Sequence, residues 1–273
     1  MLILLPPSEG KTAPRRGNRL DLDRLSFPGL THARREMLDA LVRTSADHPD
    51  ALRVLGLTVG QAGEVPRNAA LHTARTARAD KVYSGVLYEA LDVSSLDASA
   101  RRRATRWLAV TSSVFGLVRP GDPIPAYRLA GDVTLPGLGG VAAHWRTHLD
   151  PVVRDALGSG LLVDLRSSTY AAFWRPSPDL ARRVATVRVL HEVDGRRQVV
   201  SHFNKATKGR LVRALLEDGT APRTPASLAD HLGSLGWKVE LGPPTTKGTA
   251  LDVVVTEVQR PSAPGTARRS AAR

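Results

Sequence analysis

Residues 115–129 read FGLVRPGDPIPAYRL, with Pro120, Pro123 and Pro125 closely spaced and Arg119, Tyr127 and Arg128 among them. Proline lacks the amide donor and fixes its own φ, so this stretch is neither a helix interior nor a central strand. It reads as a shaped loop that holds two guanidinium groups and a phenol still. Rigid loops are where binding residues concentrate.

Working outward, Leu108–Thr111 is an apolar strand that feeds this loop, and Leu96–Trp107 before it has helical spacing. Leu2–Leu5 is a short buried strand, followed by a polar loop from Pro6 to Arg19. His32–Ala46 places Met37, Leu38, Leu41 and Val42 on one helical face, with Thr31 as its expected cap. Asp50–Ala79 is mostly helical with glycine and proline breaks, and Val82–Leu87 is expected to be extended. Val141–Leu157 is a helix with a disturbance at Pro151. The later half is richer in strands: Leu161–Leu165, then Val184–Val193 and Gln198–Phe203 around an Asp194-Gly195 hairpin turn. Helices at Thr207–Leu216 and Ser227–Leu235 and strands at Trp237–Leu241 and Leu251–Val258 complete the pattern. The expected class is α+β, one domain over residues 1–258 with a mixed irregular sheet flanked by helices. Residues 259–273 read as a basic disordered tail.

The chain has 273 residues, with 39 Lys plus Arg against 26 Asp plus Glu, a formal net charge of +13. Four of those arginines lie in the tail, leaving about +9 for the rest. An excess of this size favours polyanionic partners through counterion release and steering. Only six of the basic residues are lysine, and an arginine-heavy, alanine-rich chain is also what a GC-rich genome encodes. There is no cysteine, which excludes disulfides and thiolate-bound metal and fits the cytoplasm. No run approaches the ~18–20 apolar residues of a membrane span. MLILLPP is too short and uncharged for a signal peptide, so no membrane partner is expected.

Three motifs carry the chemistry. PPSEGKT, residues 6–12, ends like a P-loop but has Leu5 where the first glycine belongs and Pro14 where a helix should start. What remains is a strand-end loop presenting Ser8, Glu9 and Lys11, for which a plain solvated loop is the competing reading. LPGLGGVAAHW, residues 135–145, matches a dinucleotide pattern only loosely, with Asp164 at the position of a ribose acid. Gly137, Gly139 and Gly140 better resemble the hairpin of a helix-hairpin-helix element, although YRLAGDV upstream is a poor first helix. A simple glycine turn before a helix stays open. SHFNKATKGR, residues 201–210, joins a strand to a helix and places Lys205, Lys208 and Arg210 near helix-terminal amides that favour an anion. His144 and His148 stand i, i+4 without the intervening glutamate of H-E-x-x-H, so they read as core or solvated histidines. No metal and no cofactor are expected.

PPSEGKT, VYSGVLYEAL at 82–91, SSVFGLVRPGDPIPAYRL at 112–129, HW at 144–145, LLVDLRSSTY at 161–170 and HFNKATKGRLV at 202–212 occur in one order. Together they resemble the YaaA family of bacterial peroxide-stress proteins over about residues 1–257. The resemblance implies a single α/β domain of unusual architecture, a basic cleft, a helix-hairpin-helix-like element and little-specific binding of duplex DNA during oxidative stress. Position by position it implicates Ser8, Lys11, Tyr83, Gly85, Arg119, Tyr127, Arg128, Tyr170, Lys205, Lys208 and Arg210. This chain has Ser-Glu-Gly-Lys-Thr where many relatives have Ser-Pro-Ala-Lys-Thr, and Thr169 where an acidic residue is common. The rival expectation is an enzyme acting on a nucleotide, nucleobase or other small anion in the same cleft. Lys11, Tyr127 and Lys205 are its catalytic candidates.

Overall fold

The computed structural model describes residues 1–193, 196–198 and 201–255. β1 (Leu2–Leu5) is followed by an irregular segment and α1 (Thr31–Asp47), then by α2 (Ala51–Val54) and α3 (Glu64–Ala69). Next come β2 (Ala77–Arg78), α4 (Ala79–Val82), α5 (Val86–Leu91) and α6 (Ala98–Trp107), leading directly into β3 (Leu108–Ser112) and β4 (Gly116–Val118). β5 (Pro123–Ile124) and the hairpin β6 (Thr134–Leu135) and β7 (Gly139–Gly140) precede α7 (Val141–Leu157). The chain continues with β8 (Leu162–Asp164), α8 (Ser168–Ala171), α9 (Pro178–Ala181), β9 (Val184–Val193) and β10 (Arg196–Gln198). It closes with α10 (Ser201–Asp218), α11 (Pro225–Ser234), β11 (Lys238–Thr245) and β12 (Gly248–Val255).

The main sheet runs β11-β12-β9-β8-β1-β3-β4, with β10 added to β9. β12, β9, β8, β1 and β3 are mutually parallel, and β11, β4 and β10 pair antiparallel at the margins. The single domain with a mixed sheet flanked by helices is present, and its centre is parallel, so the α+β expectation becomes α/β. Every residue of β1, β3 and β8 is buried, which is the mark of a sheet covered on both faces. α6 packs on β1 and β3, α10 on β9, and α7 on β4. Because the chain leaves β1 toward β3 but leaves β8 toward β9, the crossover direction reverses between β1 and β8. Ligands of open α/β sheets sit at such a reversal, beyond the carboxyl ends of the strands.

The proline-bearing loop is held from two sides. Arg34 of α1 is fully buried, and its guanidinium donates to the carbonyls of Phe115 at 3.0 Å, Leu117 at 2.8 Å and Ser26 at 2.6 Å. Asp122 accepts from the Arg119 amide at 2.8 Å and from the Ser26 hydroxyl at 2.7 Å. Burial lowers the Arg34 guanidinium to about 10, with Asp122 opposing. It stays charged at neutral pH.

Several boundaries differ from the sequence expectation. The α1 cap position is Leu30, with no side-chain bond, and Thr31 is the first helical residue. Val82–Leu87 is not extended, because Gly85 at φ 100° starts α5 there. Of the expected Gln198–Phe203 strand, Gln198 ends β10 and Ser201–Phe203 open α10, so the NKATKGR run is helical, not a loop. Residues 125–133 contain no helix, so the 137–140 glycines belong to a β-hairpin entering α7 and are not the hairpin of a helix-hairpin-helix element. Pro151 lies within α7 without ending it. The Asp194-Gly195 turn and the 259–273 tail lie outside the described residues, although β9 and β10 pair as a hairpin requires.

Gly209 shows why the helix reading matters. A Cβ at Gly209 would run into the Leu87 carbonyl and lie 2.9 Å from the Ala90 Cβ, so α10 seats on α5 through a bare backbone. Gly209→Ala is expected to cost about 2–3 kcal/mol by overpacking. A thermal melt should show Tm falling by about 5–10 °C.

Candidate functional site

The loop after β1 folds back over its own strand end. Ser8 Oγ donates to the Gly10 carbonyl at 2.6 Å and accepts from the Ser84 amide at 3.1 Å, and Lys11 forms an isolated antiparallel bridge with Tyr83. The Lys11 ammonium donates to the Ser8 carbonyl at 2.7 Å and sits 4.2 Å from the Tyr127 ring centroid and 5.6 Å from that of Tyr83. Both distances are within cation–π range. Tyr83 stacks on Tyr88 at 5.5 Å, and Tyr88 donates to the Pro6 carbonyl at 2.7 Å. PPSEGKT and VYSGVLY thus form one wall.

The second wall is the proline-bearing loop. Tyr127 is buried, its hydroxyl 2.8 Å from Ser112 Oγ at the end of β3 and 3.1 Å from the Tyr83 hydroxyl. Asn68 of α3, fully buried, donates to the Arg128 carbonyl at 2.7 Å and accepts from the Arg128 amide at 2.9 Å. That clamp fixes the turn carrying Arg128, whose guanidinium reaches Glu9 at 3.3 Å. Tyr170 is part of the same neighbourhood, since Glu9 and Arg128 both act on its hydroxyl while burial raises it.

Electrostatics separates the candidates. Burial lowers the Lys11 ammonium to about 7, Arg128 adds to the shift, and Glu64 and Glu9 oppose it. Close to neutral pH, a substantial fraction of Lys11 is free amine. Burial raises Tyr127, Tyr83 and Tyr88, so all three phenols stay protonated. Tyr127 is then a ring surface and a hydrogen-bonding neighbour, and Lys11 is the group able to take a proton or attack.

The remaining predicted residues fall in different places. Lys208 donates to the Leu165 carbonyl at 2.8 Å, just past β8, and burial lowers its ammonium with Asp164 opposing. Asp164 is taken up by Arg166 through two side-chain contacts at 2.7 and 2.9 Å and is therefore no ribose acid. Lys205 and Arg210 are exposed on α10 rather than on a loop. Arg119 does not join the site. Its guanidinium donates to the Arg106 and Leu108 carbonyls at 2.7 and 2.9 Å, at the amino end of β3, and lies 4.7 Å over the Phe27 ring. Asn68 and Ser112 were missed, because a buried asparagine on a short helix and a serine in an apolar strand give no local signal.

A family model described as Peroxide stress protein YaaA matches residues 1–240. The chain belongs to the YaaA family of peroxide stress proteins. A UPF0246 protein of Streptomyces coelicolor is 53% identical over 261 residues, spanning 94% of this chain and 100% of that protein. UPF0246 proteins of Corynebacterium efficiens and Corynebacterium glutamicum strain R are 42% and 40% identical, spanning 88% and 89% of this chain and 95% and 96% of their own lengths. Among the described residues, no helix is long and apolar enough to cross a membrane.

The lowered Lys11 pKa has a definite sign for stability. The unfolded chain holds the Lys11 proton up to about pH 10.5 while the folded chain releases it near 7, so folding gains stability as pH rises between these values. Lys11→Met removes the cost of burying the charge. Its melting temperature should exceed wild type at pH 6–7, with the gap narrowing toward pH 10. A gap independent of pH would show that the ammonium is not desolvated.

Proposed function

We propose that this YaaA-family protein binds a small nucleotide- or nucleobase-like anion at the carboxyl ends of β1, β3 and β8 and acts on it through Lys11. In this reading Arg128 supplies the charge partner, Tyr83 and Tyr127 supply ring surface, and Lys11 serves as base or nucleophile. The observation that carries it is the Lys11 amine, lowered to about 7 and fixed 4.2 Å from Tyr127. A half-neutral, caged lysine is a weak anchor for a phosphate chain. It is suited to proton transfer or covalent chemistry at neutral pH. The lack of cysteine suits a reducing cytoplasm as the setting.

The test is a nucleotide and nucleobase library scored by thermal shift and by product formation. At least one compound should stabilise the wild type. Lys11→Ala should lower turnover by about 10²-fold or more, and Arg128→Ala should act mainly on KM. No stabilisation and no turnover with any compound would count against the proposal.

Duplex DNA is the second reading, and a separate groove favours it. Arg78, Lys81, Arg101 and Arg102 line an open cavity of about 350 Å³ with Asp80, Val93, Ser94, Thr105 and Pro120. Lys81, Arg101 and Arg102 are exposed, while Arg78 is engaged by Asp80 at 2.6 Å. Arg101→Ala with Arg102→Ala should weaken duplex binding and flatten its salt dependence by about one unit of slope for each phosphate no longer neutralised. Lys11→Ala should leave both unchanged. Equal affinity and slope in the double variant would remove the groove from the DNA reading.

A further inference from the structure

α1 and α7 pack against each other and bring together residues that are distant in sequence. One ligating atom each from Glu36, His144 and His148 lies within 4.8 Å of the other two. His144 and His148 are partly buried, Glu36 is more exposed at the rim, and none takes part in the Lys11 site. His144 and His148 are one helical turn apart, with ring centroids at 4.9 Å.

His144 is oriented by its surroundings. Its Nε2 lies 3.0 Å from the Ala33 carbonyl oxygen. A carbonyl only accepts, so Nε2 carries the hydrogen and Nδ1 keeps the lone pair. A metal-bound histidine typically donates its other ring N–H to a backbone carbonyl, which fixes the tautomer and raises basicity. The neighbouring Trp145 is fully buried and donates to the Ser113 carbonyl at 2.7 Å, holding this turn of α7 in place. The His144 ring meets that indole edge-on at 5.0 Å.

We propose that Glu36, His144 and His148 form a binding site for a divalent first-row transition ion. Two imidazoles and one carboxylate are the donor set of catalytic zinc centres and of open non-haem iron sites. Zn–N and Zn–O bonds of about 2.0–2.2 Å hold donors roughly 3.3 Å apart, so binding draws these side chains together by rotation. His32, 3.3 Å from the Glu36 carboxylate, stands at the exposed rim. It stands within ion-pair distance of that carboxylate. The ion would tie α1 to α7, and positions not filled by these donors would go to water or an exogenous ligand.

The experiment uses the untagged, chelator-treated full chain with Co2+ as a spectroscopic probe and Zn2+ as competitor. Wild type should bind one equivalent of Co2+ with visible d–d bands that Zn2+ abolishes. Saturating Zn2+ should raise Tm by about 5 °C at a hundredfold excess over Kd. Glu36→Gln and His148→Ala, each checked for a wild-type circular dichroism spectrum, should lose at least tenfold in affinity and most of the Tm gain. A His144→Ala variant that fails to fold does not alter that comparison. Absence of Co2+ bands in the wild type, or equal affinity in Glu36→Gln and His148→Ala, would overturn the site.

Discussion

The four residues Leu2–Leu5 are hydrogen-bonded on both sides, to β3 through Ile3–Leu5 and to β8 through Leu2–Leu4. Both neighbours arrive from far along the chain. A strand buried on both faces must satisfy every amide within the sheet, since no water reaches it. That requirement fixes where β1 ends and therefore where Pro6 starts the loop carrying Lys11. It also sets the loops after β3 and β8 beside one another, which is how Tyr127, Arg166 and Tyr170 come to share one end of the molecule.

The two ends of the sheet have different roles. At the amino end, Arg119 commits its guanidinium to the carbonyls of Arg106 and Leu108, closing α6 onto β3. At the carboxyl end, charges are kept in tension instead: an ammonium is stripped of water beside Arg128. Sites that perform chemistry commonly carry such unfavourable burial, and substitutions there often stabilise the fold while removing activity. The strain at Lys11 is tolerated because the surrounding loop is over-determined. Ser8, Ser84, Tyr88 and the Tyr83 bridge each fix it independently.

The fold was legible where local chemistry decided it. Leu2–Leu5 and the helices at α1, α6 and α7 follow from apolar spacing, and proline marks residues 119–129 as largely irregular. Within the expected 115–129 loop, however, Gly116–Val118 pairs with β3 as β4 and Pro123–Ile124 pairs with β2 as β5. The helix at Ser201 was not, because Ser-His-Phe-Asn has weak helical preference and its stability comes from packing on α5 at Gly209. For the site, the sequence singled out Lys11, Tyr127, Arg128 and Tyr170, which the structure gathers in one region. It misplaced Arg119, since an arginine in a rigid loop looks the same whether it faces a ligand or two backbone carbonyls. Glu36 was invisible for the same reason that β1 pairing was: the partners are non-local, and nothing in THARREM announces α7.

Asn68 stands in for a missing strand. Its amide offers one donor and one acceptor to the two backbone groups of Arg128, the same exchange an adjacent strand would make. The proline-bearing loop has no sheet neighbour at that point, and a single side chain serves as one. Geometry and folding are thereby uncoupled at this position: the bearing of Arg128 hangs on one carboxamide of α3, outside the main sheet. Drift in that short helix would re-aim the guanidinium while leaving the hydrogen-bonded framework of the sheet intact, so evolution has a fine adjustment screw for this corner of the protein.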